Sequence, residues 1–484
     1  MKLFLITLLL SISVQARPNI ILILADDLGY GDLSFNNSES PIDTPNLNRL
    51  AKEGIIFTAA YSSSAMCSPA RAGLLTGRTP TRLGIHNWIK DRHKKPFSDV
   101  HLKQDEITIA NLLKDAGYQT AIFGKWHLNN AFRSGNNSDP DHHGFDYWLT
   151  TAIHSYPSHK NPNNFFENGE KKGVMKGFAS EIVADNAITW LNNRDKTKPF
   201  FLYLPFQEPH VVCDAPEKLK MKYMDRLKSK QIPIRKGFGK DGLGQAKYYA
   251  CVENMDQHIG KIVQYLKEQN IDKETLIIFT SDNGPDTNRA YKGRNQAAGS
   301  AGDFKGRKRW LLEGGIRMPT FMWMPGKLPA GKVISNEISH LDFLPTISDL
   351  CEAKLPSKKL DGESILPILN RKKWQRTKSL HWHLYCSVSG PNSVLRKGKW
   401  VLTAEWTGEK AGGRFDPIKH GKFIKESKLK NFNLYNIEND PGQNKDLKNS
   451  FPELFITLKK ELSELHREVT SESPLWPAGL AKEN

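Results

Sequence analysis

The sequence lacks an apolar run long enough to span a membrane. The run at its start, Leu3 to Val14, is about a dozen residues against the ~20 that a spanning helix needs. The mean hydropathy of −0.53 excludes a polytopic membrane protein. Cysteine is scarce: five in 484 residues, an odd number with no framework spacing, which excludes a disulfide scaffold. Acidic residues are outnumbered, 52 Asp and Glu against 69 Lys and Arg, and the net charge of +17 points to an anionic partner. Nucleic acid, an anionic membrane surface and an acidic substrate all remain open on charge alone. There is no internal repeat and no long low-complexity stretch, and an aromatic share of 10% excludes wholesale disorder.

What is present begins with a leader. Lys2, the apolar run and Val14-Gln15-Ala16 have the layout of a secretory signal peptide over residues 1–16. The mature chain should start near Arg17 and be periplasmic or secreted, with no stable membrane insertion. Asn19 to Leu24, Phe200 to Leu204 and Thr275 to Thr280 are continuous apolar runs, as in strands buried on both faces. Each stops at polar residues: Asp26-Asp27, Gln207-Glu208-Pro209-His210, and Ser281-Asp282-Asn283-Gly284. Helical patterns lie between them, at Ile107 to Ala116, Glu181 to Leu191 and Tyr248 to Leu266. Strands alternating with helices predict an α/β layered domain, whose sites form beyond the carboxyl ends of the strands. After Leu360-Asp361-Gly362 the pattern changes to short alternating segments and a closing helix, Pro452 to Val469. We expect a catalytic domain over 17–365 and a small α+β domain over 366–484. The Lys/Gly-rich stretch Lys410 to Lys430 reads as a solvated loop.

The motif with the most chemistry is Cys67-Ser68-Pro69-Ala70-Arg71, followed by Leu75-Thr76-Gly77. Alone, C-x-P-x-R also suits a buried cysteine opening a helix. Here the sequence resembles the formylglycine-dependent sulfatases, departing at Ala70, where many members carry Ser. The resemblance extends over nearly the whole mature chain: Asp26-Asp27 after the first strand, Gly124-Lys125-Trp126-His127, Ser281-Asp282-Asn283-Gly284, and Lys308 with Glu313-Gly314-Gly315-Ile316-Arg317. It implies an alkaline-phosphatase-like α/β/α sandwich with a smaller C-terminal antiparallel sheet. It also implies that an export-coupled formylglycine-generating enzyme oxidises Cys67 to Cα-formylglycine.

The residue chemistry runs in parallel. Asp26, Asp27, Asp282 and Asn283 offer four oxygen ligands at the ends of two buried strands, with no Cys/His cluster. Such hard donors suit Ca²⁺ or Mg²⁺ rather than Zn²⁺. The resemblance favours one Ca²⁺ per chain and adds Cys67, once modified, as a ligand. A sulfate ester is an anion, so a nucleophile needs neighbouring positive charge, which Arg71, Lys125, Lys308 and the cation would supply. Lys308 stands among Lys305, Arg307 and Arg309, and its selection comes from the resemblance. His127 and His210 are the acid–base candidates. His210 is followed by Val211-Val212-Cys213, a departure from the family's H-x-P-like continuation.

The implied mechanism hydrates the aldehyde at position 67 to a gem-diol, one hydroxyl of which attacks sulfur in line. His210, with Lys308, protonates the leaving alcohol. His127 takes a proton from the second hydroxyl, and sulfate is expelled as the aldehyde returns. The substrate expected from charge and export is a sulfated saccharide or polysaccharide, and nucleic acid is not expected. From Cys351 onward 24 Lys and Arg face 16 Asp and Glu, an excess that would suit a polyanionic chain. Two other readings stand: a phosphodiesterase or phosphonate-ester hydrolase of the same superfamily, and an inactive binder of sulfated polysaccharide.

Several features are expected to lie apart from the chemistry. His381-Trp382-His383 with Cys386 should be surface residues of an edge strand, and Asp139, Asp141, His142 and His143 a structural loop. His154 to Lys160 and Arg289 to Lys305 should rim the pocket. Asn36-Asn37-Ser38 and Asn136-Asn137-Ser138 are glycosylation sequons. Beyond Cys67, the other four cysteines permit two disulfides or remain buried thiols.

Overall fold

A computed structural model describes residues 17–90, 99–135, 138–235, 241–287, 297–388, 390–408 and 415–476. The leader, Asn136-Asn137 and much of the 289–305 rim lie outside them. The strands of the first part are β1 (Asn19–Ala25), β2 (Ile55–Phe57), β3 (Ala60–Tyr61), β4 (Gln119–Lys125), β5 (Tyr147–Thr151), β6 (Phe166–Glu167) and β7 (Glu170–Lys171). They continue as β8 (Phe200–Pro205), β9 (Thr275–Ser281), β10 (Thr320–Trp323), β11 (Lys332–Ile334) and β12 (Ile338–Ser339). Ten form one sheet in the order β11-β2-β10-β9-β1-β8-β4-β5-β6-β7. Its centre, β9-β1-β8-β4, is parallel, so these strands end at one edge.

Alternation along the strands builds the layers. Ile21 and Ile23 of β1 join one core, with the helices Ala179–Asn193 and Leu243–Glu268. Ile20, Leu22 and Leu24 join the other, with the helices Cys67–Thr76 and Phe343–Leu350. Both faces of the central strands are therefore dry, which is why they read as unbroken apolar runs. The result is the expected α/β/α sandwich.

A second, antiparallel sheet follows, ordered β13 (Leu380–His383), β14 (Ser393–Lys397), β15 (Trp400–Trp406) and β16 (Leu429–Asn436). The helix Pro452–Glu472 covers one face through Leu458 and Leu462, against Leu395, Leu402 and Leu434. The other face packs Trp382 and Val394 against Tyr61 and Ile316 of the first part.

Two expectations need correction. His381 and His383 are buried at 7% and 6% exposure, because β13 turns them under the closing helix, where His466 meets His383 (Nδ1 to Nδ1, 3.3 Å). Within the stretch read as a loop, Pro417–Glu426 is a helix that buries Ile424. Of the two alternatives left open for the cysteines, the structure has the buried thiols: all five are free and buried.

Candidate active site

The parallel centre delivers the site to one edge. β1 ends at Asp26-Asp27, β9 at Asp282-Asn283, and β4 at Lys125 with His127 two residues on. Ala25 pairs with Ser281, so the two acidic ends are neighbours, and the Asp282 amide donates to the Ala25 carbonyl (3.0 Å). Gly124 is required here: its φ is +127° and a Cβ would stand 2.0 Å from the Pro205 carbonyl oxygen. Asp27 (φ 68°) and His127 (φ 58°) also adopt the left-handed region, an uncommon conformation for non-glycine residues that concentrates at functional sites.

Cys67 opens a helix whose ten residues are all buried, and Gly77 closes it at φ 66°. Its Sγ lies 3.7 Å from Asp26 Oδ1 and 3.9 Å from Asp27 Oδ1. Burial pushes the thiol up to about 12. Arg71, one turn later, donates to Asp282 Oδ2 through Nε (3.1 Å) and a terminal nitrogen (2.8 Å), and to the Lys125 carbonyl (2.9 Å). Lys125 Nζ donates to Asp26 Oδ2 (2.6 Å), and Lys308 Nζ to Asp27 Oδ2 (2.7 Å). Three buried cations thus meet three buried carboxylates, and each pair is direct.

These contacts decide which lysine belongs. Lys305 is exposed, Arg307 donates to the Asp286 carbonyl (2.7 Å), and the Arg309 guanidinium lies 5.0 Å from the Trp88 ring centre. Only Lys308 of the four basic residues in this segment contacts Asp27. Asp286, which the sequence reading passed over, is buried beside Lys308 (3.9 Å).

Electrostatics divide the carboxylates. Burial would raise Asp26, but Lys125, His210, Arg71 and Lys308 outweigh it and hold the group well below its usual range. Burial raises Asp27, with Lys308 opposing and Asp26 adding to the rise. Asp282 is also raised, since burial and Asp26 outweigh Arg71. Close carboxylates with shared cations titrate as a set.

The histidines sit around this set. His210 Nε2 is 3.7 Å from Asp27 Oδ2. The His127 Nε2 is 3.1 Å from the Ile89 carbonyl, and its Nδ1 is buried with no hydrogen-bond partner. Burial, then Lys125 and Arg71, hold His127 well below the usual range, so it is neutral at pH 7. His154, expected only on the rim, stacks on His210 at 5.0 Å between ring centres and 21°. Gln207 holds that loop: its Oε1 accepts from the Ser155 amide (3.1 Å) and its Nε2 donates to Thr151 Oγ1 (2.7 Å). Asp139, Asp141 and His142 form a separate, partly exposed group.

The donor set fits a hard divalent cation. One oxygen from each of Asp26, Asp27 and Asp282, with Cys67 Sγ, all lie within 4.8 Å of one another. The Asn283 Oδ1 is buried and has no hydrogen-bond partner, while its Nδ2 donates to Asp27 Oδ1 (2.7 Å). An orphaned amide oxygen beside three convergent carboxylates is what an oxygen-coordinated cation would satisfy.

Comparison with known proteins decides the family. The family model described as Sulfatase matches residues 18–353, most of the chain. The chain belongs to the sulfatase family. A model of the N-sulphoglucosamine sulphohydrolase C-terminal region matches residues 301–468 of this sulfatase. Human (Homo sapiens) steryl-sulfatase is 29% identical over 95% of this chain and 89% of its own length. N-acetylgalactosamine-6-sulfatase of Mus musculus is 28% identical, over 90% and 83%. The solved structure of Ps i-CgsB in complex with k-i-k-neocarrahexaose superimposes with a TM-score of 0.77 at 25% identity, covering 96% of both chains. As a member of this family the protein is a sulfuric ester hydrolase, and its sandwich is of the alkaline-phosphatase-like type.

Proposed function

We propose that this sulfatase is exported and removes sulfate esters from a sulfated saccharide, with formylglycine made from Cys67 by a formylglycine-generating enzyme. The observation that carries the reading is the convergence of Cys67 with three carboxylates, each held by its own buried cation. The Cys67 Sγ stands where an oxygen of the modified residue would stand. Formylglycine would supply a hydrated aldehyde: one hydroxyl as nucleophile and a second through which sulfate can leave. Ca²⁺ held by Asp26, Asp27, Asp282, Asn283 and the modified residue would supply the positive charge that draws the sulfate oxygens in.

The chain's own residues do the remaining work. Arg71 orients Asp282 and ties it to the Lys125 carbonyl, fixing the ligand end of β9 against β4. Lys125 and Lys308 sit on Asp26 and Asp27 and present Nζ protons to a sulfate group. A fixed array of this kind stabilises developing charge without reorganising. His127, neutral and with Nδ1 unpartnered, accepts a proton at position 67. His210, with Lys308, gives one to the leaving alcohol oxygen.

Saccharide as the substrate class is supported by the relatives named above, one acting on N-acetylgalactosamine and another solved with a carrageenan-type hexasaccharide, and by the +17 charge. We further place the catalytic unit at 17–365 and the smaller unit at 366–484. The reading is tested by parallel assays of sulfate and phosphate aryl esters, then of defined sulfated oligosaccharides beside steryl sulfate. A faster phosphate reaction would assign a phosphoester hydrolase, and turnover of steryl sulfate alone would remove the saccharide. N-terminal sequencing of protein from its native host should start near Arg17; an intact Met1 would overturn export.

A further inference from the structure

A groove of about 860 Å³ lies at the outer edge of the central sheet, away from the catalytic pocket. Lys332 of β11 lines one wall, and Arg371, Lys372, Lys373 and Trp374 line the other. No Asp or Glu is among its lining residues. The four cations are exposed, and none makes an ion pair among the described residues. Their neighbours behave differently: Lys358 pairs with Asp105 and Glu106, Lys359 with Glu468, and Arg376 with Asp342. Four like charges gathered without a counter-charge repel one another, and an anionic ligand relieves that repulsion.

Trp374 lines the groove beside these cations and packs against the hydrophobic core. Trp374 is partly buried, its carbonyl accepts from Asn336 Nδ2 (3.2 Å), and the Arg376 guanidinium lies 5.4 Å from its ring centre. Lysines and arginines meet the charged substituents of a sulfated sugar. The adjoining cavity differs: Glu337 lines it and Lys397 pairs with Glu461 (3.2 Å), so the uncompensated charge is confined to the groove.

The position relates the groove to the site. β11 runs parallel to β2, which is antiparallel to β10, itself antiparallel to β9. β11 therefore points the same way as β9, and Asn336 lies toward the catalytic edge. Four strand spacings separate β11 from β1, roughly 19 Å at ~4.8 Å each.

We propose that this groove is a second, non-catalytic binding site for a sulfated polysaccharide, holding one stretch of the polymer while another part of it is presented to the pocket. The proposal rests on the saccharide reading above.

The test compares dextran sulfate, unsulfated dextran and phosphatidylglycerol vesicles as probes. Binding is measured on Cys67→Ala protein, so that turnover cannot alter the probe, and turnover of 4-nitrophenyl sulfate on the parent. Replacing Lys332, Arg371, Lys372 and Lys373 together by Ala should weaken dextran sulfate binding by about tenfold or more at fixed salt. Aryl sulfate turnover should be unchanged. If the fourfold variant does not fold, Lys373→Glu alone should weaken polymer binding several-fold. Unchanged polymer affinity would overturn the proposal, as would an equal loss for unsulfated dextran or a loss confined to the vesicles. Failure of the saccharide reading shows separately, as absence of turnover on every sulfated oligosaccharide by the parent protein.

Discussion

Positive charge is concentrated twice in this molecule, and the two concentrations are built in opposite ways. At the site, Arg71, Lys125 and Lys308 are buried, and each lies against a carboxylate at 2.6–2.8 Å. In the edge groove, Lys332, Arg371, Lys372 and Lys373 are exposed and unpaired among the described residues. Burial forces the first arrangement, because an uncompensated ion in the interior costs several kcal/mol. Solvent permits the second. The placement of charge, rather than its amount, separates a rigid catalytic array from an adaptable docking surface.

The comparison can be broken most forcefully at Cys67. Cys67→Ala should lower turnover of any sulfate ester by about 10⁴-fold or more while leaving the unfolding transition nearly unchanged. Retained turnover would remove the site from the chemistry altogether.

A stability contrast comes next. Arg71→Met strands Asp282, while Asp26 keeps Lys125, and should cost about 3–5 kcal/mol in urea unfolding. Lys372→Ala in the groove should stay within about 0.5 kcal/mol. Equal costs would erase the distinction between the two regions.

A third set is buried with a single carboxylate near it among the described residues, Asp361 Oδ1 at 4.0 Å from His381 Nε2. His381, His383 and His466 meet beneath the closing helix, with His381 Nδ1 3.1 Å from His383 Nε2. Burial holds His466 down at about 4. The unfolded chain takes up a proton near 6.5 that the folded state refuses, so stability is full above pH 6.5 and falls as the pH drops toward 4. His466 alone accounts for about 3 kcal/mol of this loss. His466→Phe should flatten the acid limb of a thermal-melting pH series, and an unchanged limb would contradict the account.

The smallest expected effect concerns His154. If its stacking positions His210 to protonate a leaving alcohol, His154→Ala should lower kcat for a sugar sulfate by about tenfold. Turnover of 4-nitrophenyl sulfate, whose leaving group needs little protonation, should barely change, and His154→Phe should restore the sugar reaction. Equal losses on both substrates would reduce His154 to a structural role.

Much of this was legible in the chain. Strands buried on both faces leave continuous apolar runs, and Asp26-Asp27 and Asp282-Asn283 sit directly at their ends, so local sequence already places the ligand ends, whereas Lys125 came from the resemblance of Gly124-Lys125-Trp126-His127. Lys308 was harder, since four basic residues share one short segment and only tertiary packing selects among them. Ser155 and Gln207 meet across 52 residues of chain, as do His154 and the more distant His210, and nothing in either neighbourhood signals the other. His381 and His383 were misjudged because a period of two puts them on one face without saying what covers it. The helix Pro417–Glu426 hid in a Lys/Gly-rich stretch for the same reason: its burial of Ile424 depends on packing from elsewhere.

The central claim is that position 67 carries the chemistry as an aldehyde. Mass spectrometry of the peptide spanning Cys67, from active protein made in its native host, tests it most directly. Formylglycine in place of the thiol is the expected result. An intact Cys67 thiol in protein that still turns over sulfate esters would contradict the account.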